Sequence, residues 1–233
     1  MNALQKRCIT NNAVIGVIAT GGFLLFRWSS SPWYIASLAG LGDYETHVLV
    51  NTFFYLIIPL LFLSTTRSSY YFTTEEGLKR RNLAVSFGWG CGIHLFIFFP
   101  WFGYFVFEGL KPGFISWYVS PLHGLPLYML TVVINVTTVE YFTKAFCQLQ
   151  IEEAFNKKIA FIAQFFYWLA GHIIEYLWLV EYTGIFHAVG LIVVSGLLTG
   201  LLVSETENIY GVTVGHILLN VLAMILAIHY YGI

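Results

Sequence analysis

Apolar residues in this sequence are grouped into long runs that polar segments separate. A helix that spans a bilayer needs about 20 mostly apolar residues, because the hydrocarbon layer is about 30 Å thick and each residue rises about 1.5 Å. Seven runs approach this length, at residues 12–28, 47–64, 83–107, 121–143, 159–180, 185–203 and 209–231. None shows the polar–apolar alternation of barrel strands, so the pattern predicts an all-α, polytopic transmembrane bundle of seven to eight helices.

Three features modify this simple pattern of runs. A shorter apolar piece at residues 32–41 has the length of a re-entrant segment, or forms an eighth span. Pro100 lies inside the third run, where it predicts a kink or a division of the helix. The first run follows Lys6 and Arg7, as a signal peptide would, but it lacks a good small-residue cleavage site. We therefore interpret the first run as a retained helix.

The composition agrees with a chain that lies in a membrane. Hydrophobic residues make up 58% of it and charged residues 10%, whereas soluble domains carry about 25% charged residues. This excludes a water-soluble globule, and the net charge of −1 offers no basic field for nucleic acid. The three cysteines are too few and too scattered for a disulfide framework or a zinc cluster. With no visible linker, residues 1–233 are expected to form a single transmembrane domain.

The distribution of cations predicts the orientation in the membrane. With the N-terminus in the cytoplasm, nine of the eleven Lys and Arg residues fall in inner loops, as the positive-inside rule expects. These nine are Lys6, Arg7, Arg67, Lys79, Arg80, Arg81, Lys144, Lys157 and Lys158. We therefore expect an integral, multi-pass protein with a cytoplasmic N-terminus.

Polar side chains inside the apolar runs are the candidate functional residues. Such residues are costly in lipid and usually face the interior of a bundle. They are Glu140 in the fourth run, His172 and Glu175 in the fifth, and His216 and Asn220 in the last. Glu140 and Lys144 are four residues apart, with the acid first, which is the favourable order for an ion pair within one helix. The sequence lacks a His-Glu-x-x-His pattern and asparagine is a poor zinc ligand, so neither a metal nor another cofactor is expected.

Spacing decides which of these side chains share a helix face. His216 and Asn220 are four residues apart, and His172 and Glu175 are three apart, so each pair lies on one face. We expect the two histidines to meet in one pocket lined by protein rather than by acyl chains.

Small residues support this expectation. Gly196 and Gly200 in the sixth run, and Gly211 and Gly215 in the seventh, are spaced for close helix contact. The second pair would place His216 against a neighbouring helix instead of lipid.

Three segments of the chain resemble a known set of motifs. Residues 139–146 read Val-Glu-Tyr-Phe-Thr-Lys-Ala-Phe, residues 168–172 read Trp-Leu-Ala-Gly-His, and residues 206–220 place a Thr-x-Asn turn before a helix bearing HxxxN. They are similar to the EExxxR-G, FxxxH and HxxxN motifs of the CPBP (Abi) family, which comprises CAAX prenyl proteases and bacteriocin-processing or immunity proteins. The resemblance covers about residues 130–220.

This resemblance implies an eight-helix intramembrane endopeptidase that works without a metal near the cytoplasmic face. Its partners would be the lipid bilayer and a membrane-associated peptide or protein substrate. Glu140 and His172 would activate a water molecule, and His216 and Asn220 would hold the oxyanion of the tetrahedral intermediate.

The first motif departs from the family pattern and leaves two registers open. If Lys144 stands at the family's arginine and Ala145 at its glycine, the water-activating glutamate is replaced by Val139. That register predicts a silent site in which Glu140 and Lys144 form a structural ion pair. The other register makes Glu140 the first glutamate but puts Tyr141 at the second.

Three classes of function therefore remain in view. The first is the endopeptidase, for which Glu175 is a conceivable substitute carboxylate. The second is a catalytically silent relative that acts as a membrane scaffold, an immunity protein or a subunit bound to another membrane protein. A small carrier or channel is less favoured, because no inverted repeat relates the two halves of the sequence.

Overall fold

The computed structural model of the protein is a bundle of α-helices. It describes residues 1–28, 43–65, 82–108 and 125–231. Within these ranges there is no extended β-strand, which confirms the predicted all-α class. The apolar piece at residues 32–41 lies outside the described residues, as do four of the nine cations used to predict the orientation: Arg67, Lys79, Arg80 and Arg81.

The described part of the chain forms eight helices. They are α1 (Ala3–Arg27), α2 (43–65), α3 (Leu83–Glu108), α4 (125–154), α5 (Lys157–Gly171), α6 (Ile173–Thr183), α7 (Ile185–Thr206) and α8 (Tyr210–Tyr231). Three of them contain π-helical turns, at Thr52–Ile57, Tyr141–Leu149 and Val189–Val194. Such turns are frequent at functional sites, and the second begins directly after Glu140.

Four of these helices are long and apolar enough to cross a membrane. They are Ala3–Arg27, Glu45–Phe62, Leu83–Glu108 and Ile185–Thr206, while the apolar stretch Tyr210–Leu226 is shorter. Large apolar side chains such as Trp89, Phe96, Phe107 and Phe186 are exposed on the outside of the bundle. A lipid environment accommodates such a surface, and the chain is a membrane protein.

The helix breaks differ from those that the sequence predicts. The third run was expected to kink or to divide at Pro100, and helix α3 runs through this residue without division. Transmembrane helices tolerate proline because neighbouring groups and local backbone adjustments satisfy the carbonyl that it leaves free. The fifth apolar run is instead interrupted at His172, whose backbone has φ −111° and ψ 10°. Helix α5 ends just before this residue and α6 begins just after it.

An aromatic stack joins α1, α2 and α4 in the core of the bundle. Tyr55 lies between Phe23 and Phe142, with ring centroids 5.1 and 4.5 Å away, and Phe146 continues the stack from Phe142 at 5.8 Å. All four side chains are fully buried. Helix α1 is therefore an integral part of the bundle, packed on the helix that carries Glu140.

Glycines bring α3 and α8 into backbone contact. A Cβ atom on Gly211 would overlap the carbonyl group of Ser86, and one on Gly215 would overlap the carbonyl oxygen of Gly90. The predicted close approach of this pair is confirmed. It sets His216 against α3 rather than against lipid.

The other predicted glycine pair makes room for side chains of α5. A Cβ atom on Gly196 would overlap the indole of Trp168, and one on Gly200 would overlap the Gln164 amide. The indole is further fixed because its Nε1 donates a hydrogen bond of 2.8 Å to the Ile192 carbonyl. These contacts hold α5 against α7 and position the residues that precede the break at His172.

Candidate functional site

A cavity of about 110 Å³ lies inside the bundle and is lined by every helix except α1. One water molecule needs about 10–15 Å³ of such space, so several fit. Its polar lining consists of His47, Asn51, His94, Asn135, His172, Glu175, Ser195, His216 and Asn220. Three tryptophans and several aliphatic side chains form the rest of the wall.

Four of the polar residues predicted from the sequence line this cavity together. They are His172, Glu175, His216 and Asn220. The rings of His172 and His216 are 6.3 Å apart between centroids, which confirms that the two histidines share one protein-lined pocket. The shared faces of the two predicted pairs are confirmed as well, and Asn220 Nδ2 also donates a hydrogen bond of 3.0 Å to the His216 carbonyl.

Glu140 lies behind the cavity wall, in a fully buried ion pair. Its Oε2 is 2.8 Å from Lys144 Nζ, and both side chains are 0% exposed. The predicted pair within one helix is confirmed. The ammonium group also lies 3.9 Å from the ring centroid of Trp168, a favourable cation–π position.

The second oxygen of Glu140 orients an imidazole. Oε1 is 2.8 Å from His216 Nδ1, and a carboxylate can only accept from that nitrogen. The proton of neutral His216 is therefore on Nδ1, and its Nε2 carries a lone pair. In His172 and His94, Nδ1 faces a backbone carbonyl four residues earlier, at 2.9 and 2.7 Å. All three rings thus keep Nε2 as an acceptor.

His94 is a site residue that the sequence analysis missed. Its ring is 1% exposed and lies nearly parallel to that of His216, with centroids 5.5 Å apart and planes at 13°. Its Nε2 has no hydrogen-bond partner among the residues that the structure describes. The signal was present in the sequence, because His94 stands alone in the middle of an apolar run.

A second polar group occupies another part of the cavity wall. We define it as His47, Asn51, Asn135 and Glu175. His47 Nδ1 is 2.9 Å from Glu175 Oε1, and Asn51 Nδ2 is 3.0 Å from His47 Nε2 and 2.7 Å from Asn135 Oδ1. Only Glu175 was named as a candidate from the sequence, although His47 and Asn51 have the spacing of one helix face.

The residue before Glu140 reaches the cavity itself. Val139 lines the cavity, whereas the carboxylate oxygens of Glu140 contact Lys144 and His216. In the described contacts, Glu140 pairs with His216 and not with His172. The carboxylate therefore acts on the cavity through an imidazole rather than by direct contact.

Three residues beside the cavity form a potential ligand set for a metal ion. Ligand atoms of His94, Glu140 and His216 lie within 4.8 Å of one another. A divalent cation there would have to compete with the Lys144 ammonium for the carboxylate, and the two positive charges would repel each other. The arrangement therefore fits an ion pair better than a metal centre.

The chemistry available at the wall is that of a general base. A carboxylate fixes the tautomer of His216, and its Nε2 is the nitrogen available to a water in the cavity.

No family model, curated protein or solved structure matches this chain.

Proposed function

We propose that the protein is a multi-pass intramembrane hydrolase similar to the CPBP endopeptidases, with its N-terminus in the cytoplasm. It cleaves a peptide bond of a membrane-associated substrate near the cytoplasmic face and uses no metal. The contact between Glu140 and His216, at the wall of a cavity that holds several water molecules, carries this proposal. The resemblance of the three motifs and the predicted cation distribution support it.

In the proposed reaction His216 is the general base. Water attacks the carbonyl carbon, and Nε2 of His216 takes one of its protons while Glu140 stabilises the imidazolium that forms. The carbonyl oxygen becomes an oxyanion. When the carbon–nitrogen bond breaks, the proton passes from His216 to the departing amine.

The remaining site residues have roles that follow from their donors and acceptors. Nε2 of His172 is an acceptor, so it positions the attacking water rather than the oxyanion. Asn220 Nδ2 carries two N–H groups and gives one to the His216 carbonyl, which leaves the other for the oxyanion. His216 thus changes from the oxyanion donor that the resemblance implies to the base.

Replacing His216 with glutamine is expected to reduce cleavage at least about 100-fold, because general-base catalysis contributes about 10²–10⁴ in rate. The measurement is the cleavage of prenylated or signal-like peptides by the full-length protein in proteoliposomes. His229→Gln is the matched control, since this exposed histidine lies on the same helix. Glu140→Gln should also lower the rate, and cleavage that is unaffected by it would refute the mechanism.

A second candidate, the catalytically silent relative, is favoured by one observation. The cavity wall carries Val139, and Glu140 is neutralised by Lys144. This matches the register in which the water-activating glutamate is replaced by valine. Such a protein would act as a scaffold, an immunity protein or a subunit, and it would co-purify at fixed stoichiometry with a membrane protein partner.

For the silent relative, Val139→Glu is expected to create cleavage that the wild-type protein lacks. The substitution places a carboxylate on the cavity wall, where it can act directly on water. Val136→Glu is the control, because Val136 also lines the cavity. Release of peptide fragments is measured with proteins of equal size-exclusion profile, and strong cleavage by the wild-type protein would rule this candidate out.

A further inference from the structure

The contacts of the second polar group centre on the ring of its histidine. An amide nitrogen can only donate, so the Asn51 Nδ2 contacts require acceptors on both His47 Nε2 and Asn135 Oδ1. The other ring nitrogen, Nδ1, faces Glu175 Oε1 at 2.9 Å. One imidazole thus joins Asn51 and Glu175 in the wall of the cavity.

Glu175 has different surroundings from Glu140. Glu140 has a lysine at 2.8 Å, whereas Oε1 of Glu175 is 2.9 Å from the imidazole of His47. Arg27 on α1 acts on Glu175 electrostatically but does not line the cavity. Among the residues that line the cavity Glu175 is the acidic one, so its carboxylate attracts a cation that enters the cavity.

Besides Oε1 of Glu175, which lies at ion-pair distance from His47, two acceptor atoms of the second polar group have neither a hydrogen bond nor an ion-pair contact among the described residues. They are Oε2 of Glu175 and Oδ1 of Asn51, and Asn51 is only 1% exposed. Both residues line the cavity. Buried acceptors are almost always paired, so an occupant of the cavity that carries donors is expected there.

The donors that fit best are those of a primary ammonium group. It brings three N–H groups and a positive charge, while a guanidinium brings five donors in a rigid fork and would leave more of them unpaired. A hard metal ion would need six or more oxygen ligands, which these residues do not supply. Elsewhere the same cavity has an apolar lining that suits an alkyl chain, and this lining includes Trp101, Val132, Trp178, Leu179 and Ala223.

We propose that Glu175 and Asn51 bind the primary ammonium group of an alkylamine inside the bundle. On the proposed hydrolase this amine is the side chain of a substrate lysine, a reading that rests on the proposed function. The ammonium site itself does not depend on catalysis.

Butylammonium is the probe for this site, and tryptophan fluorescence of the full-length protein in nanodiscs is the readout. Trp101, Trp168 and Trp178 line the cavity, so an occupant should change their emission. We expect saturable binding of butylammonium and at least tenfold weaker binding of butanol and butyrate. Glu175→Gln should weaken butylammonium binding at least tenfold, while Glu181→Gln, an exposed site on the same helix, leaves it unchanged.

Several results would overturn the proposal. Butanol that binds as tightly as butylammonium, or a wild-type protein without saturable binding, would show that water alone satisfies the two acceptors. If the Glu175→Gln variant binds butylammonium as tightly as the wild-type protein does, the carboxylate is not part of the binding site. If that variant does not fold, the preference of the wild-type protein among the three probes decides alone.

The ammonium site and the hydrolase can fail independently. Glu140→Gln is expected to bind butylammonium normally while it loses cleavage. If the wild-type protein binds butylammonium but cleaves no peptide, the proposed hydrolase is refuted and the ammonium site is retained. If it cleaves peptides bearing lysine or norleucine at equal rates and does not bind butylammonium, the ammonium site is refuted and the hydrolase is retained.

Discussion

Replacing Lys144 with methionine is expected to lower the free energy of unfolding by about 3–5 kcal/mol, the usual cost of removing one partner of a buried ion pair. Methionine fills much of the volume of the lysine side chain. It leaves Glu140 without a balancing positive charge at a site where neither side chain of the pair is exposed. The ion pair also helps to hold the carboxylate against His216, so the orientation of that ring is expected to be lost together with stability. The measurement is unfolding of the purified protein by titration with sodium dodecyl sulfate, followed by tryptophan fluorescence.

A double variant separates the charge from the packing. Glu140→Gln combined with Lys144→Met removes both charges, and such replacements are often neutral, so it should recover most of the stability. Lys158→Met is the matched control, because Lys158 is exposed on α5 and its change should stay within about 0.5 kcal/mol. Wild-type stability of Lys144→Met would mean that Glu140 is protonated in the native protein.

Local spacing was enough to predict one part of the site. The ion pair of Glu140 and Lys144 depends only on four residues of separation in one helix, and the structure has it although the backbone changes to a π-helical turn there. The close contact of α3 and α8 followed similarly from the glycines of α8. In both cases a short segment contains the physical cause.

The contacts between side chains of different helices could not be predicted from residue spacing within one helix. His94 stacks on His216, and His47 pairs with Glu175, but each contact joins helices that are far apart in the chain. A histidine in an apolar run shows that a polar site exists without showing which helix meets it. The break at His172 and the continuity of α3 through Pro100 also depend on packing rather than on local sequence.

Two carboxylate–imidazole pairs with different surroundings lie at the described cavity, and each presents its histidine to it. Glu140 is balanced by Lys144 and turns its imidazole toward the cavity. Glu175 contacts His47 through Oε1, and its Oε2 has neither a hydrogen bond nor an ion-pair contact among the described residues. The first pair is suited to take up a proton, and the second is suited to hold a cation. On our two proposals, one cavity therefore combines a general base with a subsite that recognises substrate.

Replacing Gly211 with alanine is expected to prevent α8 from packing on α3. The added Cβ would overlap the carbonyl oxygen and carbon of Ser86, and because these are backbone atoms no change of rotamer relieves the overlap. Overpacking of cores typically costs about 1–3 kcal/mol, and a clash with backbone should exceed this range. The loss is measured in the same unfolding titration.

Gly88→Ala on the facing helix is the control for this substitution. Its Cβ would meet no atom within 4 Å, so the variant should be as stable as the wild-type protein or slightly more stable, since alanine is the better helix former. Because α8 carries His216 and Asn220, the Gly211→Ala protein should also lose any cleavage activity. The Gly88→Ala protein should remain active. A Gly211→Ala protein with wild-type stability would mean that the two backbones do not touch, and then His216 has no fixed position beside His94.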